Sequence, residues 1–160
     1  MLYIIKDNYL FILFTVILII IDQFTKSLAI LNLENLLVGI QVLPFMDLVF
    51  VTNKGISFGM LAELNISFYL GILSIFISIL LLYWLIKSQK NFEKFSISLI
   101  LGGALGNGYD RIKQSYVIDF IDIYYETFHW PAFNLADSFI TIGVLIYLFL
   151  NRHDILPPKK

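Results

Sequence analysis

From Ile66 to Ile86 the chain carries no charged side chain. A mainly apolar run of that length suits the ~20 residues a helix needs to cross the hydrocarbon core of a bilayer. Three further stretches come close to the same standard. Tyr9 to Ile30 is dense in Leu, Ile and Phe and is interrupted by Asp22 and Lys26. Phe95 to Ile112 is apolar and rich in small residues until Asp110 and Arg111, and Leu135 to Leu150 contains Asp137 near its start and stops at Asn151-Arg152. Over 160 residues the chain is 59% hydrophobic and 14% charged. Soluble domains carry ~25% charge, and with so much less this chain could not cover its own core. The expected fold is an all-α membrane protein, one domain over residues 1–160, with spans at roughly 9–30, 66–86, 95–112 and 135–150.

Composition excludes several functions. A net charge of -1 with no long like-charged run leaves no footprint for nucleic acid. The absence of cysteine removes disulfides, thiolate metal sites and a Cys nucleophile. His129 and His153 are too few and too far apart for a histidine cage, so no metal is expected. Lys6 before an apolar run, with Ser27-Leu28-Ala29 after it, also fits a cleaved signal peptide. Against that, Asp22 and Lys26 lie between the run and the cut. They stand in the order, acid first and base four residues on, that favours pairing on one helix face.

Lys and Arg placement sets the orientation. Four spans put both termini and the loop between spans two and three on one side, with Lys6, Lys87, Lys90, Lys94, Arg152, Lys159 and Lys160; that side reads as cytoplasmic. The extracytoplasmic loops are 31–65 and 113–134. In the first, Val42 to Phe45 and Leu48 to Thr52 read as short strands, the makings of a small β-cradle. Asn53-Lys54-Gly55 supplies turn chemistry. Ile56, Met60, Leu61 and Leu64 then recur at the spacing of a short surface helix. Pro157, Pro158 and the final lysines read as a frayed tail.

Charges at membrane depth cost ~2.5–3.5 kcal/mol each on insertion scales, so Asp22, Asp110, Arg111, Asp119 and Asp137 need reasons. Asp119 and Asp137 carry the most chemistry. Two carboxyls held close in a poorly hydrated site cannot easily both ionise and come to share a proton. Such a pair can activate water with one member and polarise a carbonyl with the other. Plainer roles account for the same residues. Asn134 makes a good N-cap with Asp137 at the N3 position. Asp119 and Asp122 suit solvated loop acids. Asp110-Arg111 suits the charged end of a span, and Asn107 among Gly102, Gly103, Gly106 and Gly108 suits a close helix contact. His129 before Trp130-Pro131 suits an interfacial aromatic cluster.

Five blocks taken together are more specific. Asp22-Gln23-Phe24-Thr25-Lys26 resembles the D-Q-x-T-K signature of bacterial lipoprotein signal peptidases (signal peptidase II). Asn53 to Gly59 is similar to that family's N-x-G-x-[AS]-F block, and Gly102 to Arg111 to its G-G-A-x-G-N-x-x-D-R block. Val117 to Asp122 and Phe133 to Ser138 resemble V-x-D-F-x-D and F-N-x-A-D-S. All five stand in the family order across nearly the whole chain.

The resemblance implies an aspartic endopeptidase at the outer face of the bacterial cytoplasmic membrane, with no cofactor. Its partners would be membrane lipid and a prolipoprotein whose cysteine already carries a diacylglyceryl group; it would cut just before that cysteine. Asp119 and Asp137 fall on the family's catalytic aspartates. Asn53, Gly55, Asn107, Arg111 and Asn134 fall on positions that line the site or hold substrate backbone, and Asp22 and Lys26 on a supporting polar pair. The enzyme is expected to be a monomer with a lid around Phe58. Ile56-Ser57, where many members carry two alanines, and Gly108-Tyr109 are small departures away from the acid pair. Two rivals are a small proton-coupled transporter using the acids as a relay and a non-enzymatic assembly subunit. The first wants acids near the bilayer midplane on several spans, and the second gives no reason for so many polar residues at one rim.

Overall fold

The computed structural model describes residues 2–55 and 66–152. The chain runs α1 (Leu2–Leu31), α2 (Leu33–Val38), β1 (Ile40–Leu43), β2 (Met46–Asn53), α3 (Ser67–Lys87), α4 (Asn91–Gln114), β3 (Val117–Tyr125), β4 (Phe128–His129) and α5 (Leu135–Leu150). The expected surface helix, the Phe58 lid and the final tail fall outside the described residues. A short helix that the sequence reading does not single out, α2, follows α1 instead.

Two helical stretches, Asn8–Leu31 and Ser67–Lys87, are long and apolar enough to cross a bilayer, and α5 is a shorter apolar helix. Their large side chains turn outward: Leu10, Ile20 and Phe24 on α1, Phe76 and Leu80 on α3, Leu145 and Phe149 on α5 are all exposed. α4 is the polar exception, and its position explains why. It packs against α1, α3 and α5 at once, so its small and polar residues meet protein rather than solvent or lipid. A Cβ on Gly103 would run into the Ala136 carbonyl oxygen, and one on Gly106 would stand 2.6 Å from Asp22 Oδ2. Glycine at these positions lets α5 and the Asp22 side chain lie directly against the α4 backbone. Leu85, Ile97 and Leu101 form the bundle core, with Phe11, Ile12, Leu81 and Leu105 around them.

The strands of the α1–α3 and α4–α5 connections join in one antiparallel sheet, ordered β1-β2-β3-β4. Pro44, which has no N–H to donate, sits in the β1–β2 turn. β3 is the strand that the sequence reading leaves unassigned. Its first four residues, Val117 to Phe120, are fully buried because they sit over a second core of Ala29, Leu36, Ile118 and Phe120. β2 pairs along one edge of β3. Phe133 bridges the other edge at Ile121, its carbonyl accepting from Phe120 N at 3.0 Å and Ile121 N at 2.9 Å. That bridge delivers the next residue, Asn134, to the side of Asp119.

Candidate active site

α5 begins with a complete capping box. Asn134 Oδ1 accepts from Asp137 N at 3.0 Å, and Asp137 Oδ2 accepts from Asn134 N at 3.2 Å. This is the helix-start role that the spacing of the two residues predicts. It is not their whole role. Asn134 Nδ2 donates to Asp119 Oδ1 at 2.6 Å, and Asp137 Oδ1 accepts from Asn107 Nδ2 at 2.8 Å. Both carboxylates are therefore engaged by Asn134, one through its side chain and the other through its backbone.

β2 closes the site from the other side. Val51 pairs with Asp119 and Asn53 with Val117, so Asn53 is a diagonal neighbour of Asp119, within side-chain reach. Asn53 Nδ2 donates to Asp119 Oδ2 at 3.0 Å, while its Oδ1 accepts from Gly55 N at 3.0 Å. Arg111 Nη2 donates to the Gly55 carbonyl at 3.0 Å, and Arg111 Nε is buried with no hydrogen-bond partner among the described residues.

One pattern recurs at all three asparagines. The carbonyl end of each is occupied by a group that only donates: Gly55 N at Asn53, Lys26 Nζ at Asn107 (2.8 Å) and Asp137 N at Asn134. That fixes which way each amide faces, so its NH2 end turns to a carboxylate. Asp119 is 2% exposed. Burial, then the neighbouring Asp137, push its carboxyl up to about 6, against the pull of its hydrogen bonds from Asn53 and Asn134 and of the Lys26 charge. Desolvation outweighs two good hydrogen bonds because the amides that make them are neutral.

Behind this pair lies a buried ionic knot. Lys26 Nζ meets Asp22 Oδ2 at 2.8 Å, Asp110 Oδ2 at 2.6 Å and Asn107 Oδ1 at 2.8 Å. Asp22 Oδ1 also accepts from Ala136 N at 3.0 Å, tying α1 to the first turn of α5. The expected Asp22–Lys26 pair is present, with a third member that the sequence reading assigns elsewhere: Asp110 turns to Lys26. Neighbouring helix positions point about 100° apart, so Asp110 and Arg111 face different partners. Gln23 is a further residue missed as a site candidate, although it stands inside the first block; its Nε2 donates to Asp110 Oδ1 at 3.0 Å.

All nine expected site residues therefore belong to one contiguous network. Asp122 does not. It points to the other face of the sheet and pairs with His129 Nδ1 at 2.8 Å, whose ring stacks on Tyr124. Among the described residues no group of three or more His, Asp or Glu is arranged to hold a metal ion.

The fold has counterparts among known proteins. The sequence profile of the signal peptidase (SPase) II family matches residues 14–151. The chain is 43% identical over 137 residues to the lipoprotein signal peptidase of Thermodesulfovibrio yellowstonii, covering 84% of this chain and 89% of that one. It is 36% identical over 146 residues to the lipoprotein signal peptidase of Syntrophotalea carbinolica, covering 89% and 90%. A bacterial membrane enzyme structure solved by the in meso method at 2.3 Å superposes with a TM-score of 0.81 at 33% identity, over 94% of this chain and 92% of that one. A second such structure, at 1.9 Å, gives 0.75 at 35% identity over 90% and 93%. The transporter reading finds no support in any of these. With its fold, its five motif blocks and its relatives in agreement, the chain belongs to the signal peptidase II family.

Proposed function

We propose that this chain is an aspartic endopeptidase that removes the signal peptide from diacylglyceryl-modified prolipoproteins, just before the lipidated cysteine, with Asp119 and Asp137 as its catalytic pair. The observation that carries the reading is the meeting of two carboxyls, from separate parts of the chain, at Asn134. With its carboxyl pushed up to about 6, Asp119 is the member that holds a proton in mildly acidic conditions. The ionised member takes a proton from water as the water oxygen attacks the scissile carbonyl carbon. The protonated member delivers its proton to the carbonyl oxygen. Collapse of that tetrahedral diol returns a proton to the amide nitrogen, and the carbon–nitrogen bond breaks to leave an acid and an amine. One water is consumed and no covalent enzyme intermediate forms. The free Arg111 Nε–H and the held Gly55 segment are suited to grip substrate backbone.

In this reading the chain is one membrane domain with four spans, both termini cytoplasmic and the site near the extracytoplasmic face. The outward apolar faces of α1, α3 and α5 support contact with lipid. α5 has 16 residues, about 24 Å against a hydrocarbon core of ~30 Å. If its far end reaches the cytoplasmic boundary, Asp137 lies about 20 Å above it, in the outer third of the hydrocarbon core, which a lipid-anchored peptide reaches from the bilayer and water from the outer side. The test is cleavage of a diacylglyceryl-modified precursor by purified protein in detergent, followed by mass spectrometry. Asp119→Asn and Asp137→Asn are each expected to slow cleavage by ~10³-fold or more while remaining folded. Cleavage at the parental rate by either variant sinks the assignment.

A further inference from the structure

We infer that Asp110 and Gln23 are positioning residues for the peptidase reaction: they hold the Lys26 ammonium on the carbonyl end of Asn107, which keeps the NH2 end of that amide on Asp137. The inference rests on the catalytic pair proposed above. The Lys26 ammonium donates to Asp22 and Asn107 and stands in ion-pair contact with Asp110 Oδ2 at 2.6 Å, an oxygen with no hydrogen-bond partner among the described residues. Lys26 is 2% and Asp110 4% exposed, so neither can fall back on water. Gln23 fixes the remaining oxygen of Asp110 at 3.0 Å, and the same Nε2 reaches Asp22 Oδ2 at 3.2 Å and the Gly106 carbonyl at 3.3 Å. One amide thereby sets the spacing of both acids that flank the lysine.

The charged groups facing this place are Asp22 and Lys26 from α1, Asp110 and Arg111 from α4, Asp119 from β3 and Asp137 from α5. Arg111 is committed to the Gly55 carbonyl. If Asp110 loses its charge, Lys26 keeps only Asp22 as an anionic partner, and the other anions within its field are those of the catalytic pair. A buried cation needs paired anions. Lys26 would then lean toward the pair, release Asn107, and favour the state in which both carboxyls are ionised. Asp110 thus keeps the cation one side chain away from the pair, close enough to orient Asn107 and too far to strip the shared proton.

The experiment is the pH dependence of kcat for the purified full-length enzyme on a diacylglyceryl-modified precursor, in Asp110→Asn and Gln23→Leu, with thermal unfolding followed in parallel. Asp110→Asn is expected to lower kcat on the order of tenfold and to move the alkaline limb toward lower pH by about half a unit or more. Gln23→Leu is expected to move the limb in the same direction by less. An alkaline limb at the parental pH in both variants overturns the inference, even where the rate has dropped, because loss of rate alone is what a plain structural support would give. Should Asp110→Asn fail to fold, the limb of Gln23→Leu decides. If Asp119→Asn and Asp137→Asn still cleave, it is the catalytic pair that fails. If they are inactive and the limbs stay still, only the role given to Asp110 and Gln23 fails.

Discussion

The knot around Lys26 and the pair around Asn134 are joined by one side chain, Asn107, yet their carboxylates are met by different donors. In the knot, Asp22 and Asp110 both touch an ammonium and a glutamine amide. The two acids share one buried cation in direct contact, Lys26. In the pair, Asp119 and Asp137 receive, among the described residues, only asparagine side chains and one backbone N–H. Neutral donors orient a carboxylate without cancelling its charge. Of the two clusters, the one starved of a direct cation is the one able to hold a labile proton. The lesson is that a buried acid becomes useful when its neighbours aim it and leave it uncompensated.

The sharpest way to break that contrast is to remove the acids. Neutralising Asp119 or Asp137 is expected to cost ~10³-fold in cleavage, measured as described above. Next comes Asn134→Ala, which removes the side-chain amide on Asp119 and the cap on Asp137 N and leaves the backbone N–H that meets the Asp137 carboxylate. Its expected cost is ~10²-fold in kcat, with about 1–2 kcal/mol of stability from the lost cap, read from cleavage and from unfolding in detergent.

A further effect concerns stability against pH. The Asp119 carboxyl is raised in the folded chain from 3.8 to about 6. Between those values the folded state binds more protons than the unfolded one, so stability falls as pH rises through the window and levels off above it. The fall is about 3 kcal/mol and is expected to vanish in Asp119→Asn, as a difference between two unfolding series. The smallest expected change is that of Asp122→Asn. Its partner His129 lies on the other face of the sheet, and cleavage should stay within about twofold of the parental rate, as for a surface substitution. A loss comparable to that of Asp119→Asn would erase the distinction between the two faces.

Much of this was legible beforehand. The apolar stretches mark the four long helices, and α5 (Leu135–Leu150) begins and ends where its residues say it should, because an Asn cap, an N3 acid and an apolar run all agree. β3 was not legible as a strand, since Asp119 and Asp122 interrupt an otherwise apolar run and its partners lie far off in the chain. Asp110 was misjudged for a geometric reason: beside Arg111 it read as the charged end of a span, whereas the helix turns the two apart and Asp110 faces Lys26. The orientation of the three asparagines could not be read at all. It depends on Gly55, Lys26 and Asp137 arriving at their carbonyl ends, and only folding brings those donors there.

The central claim, that Asp119 and Asp137 hold one hydrogen between them in a site without a direct cation, is open to infrared difference spectroscopy on aspartate-labelled protein. A protonated-carboxyl C=O band should be lost on raising the pH, with a midpoint near the value of about 6 given for Asp119, and should be missing from Asp119→Asn. A spectrum with no such band, or with the same band in that variant, would contradict the account.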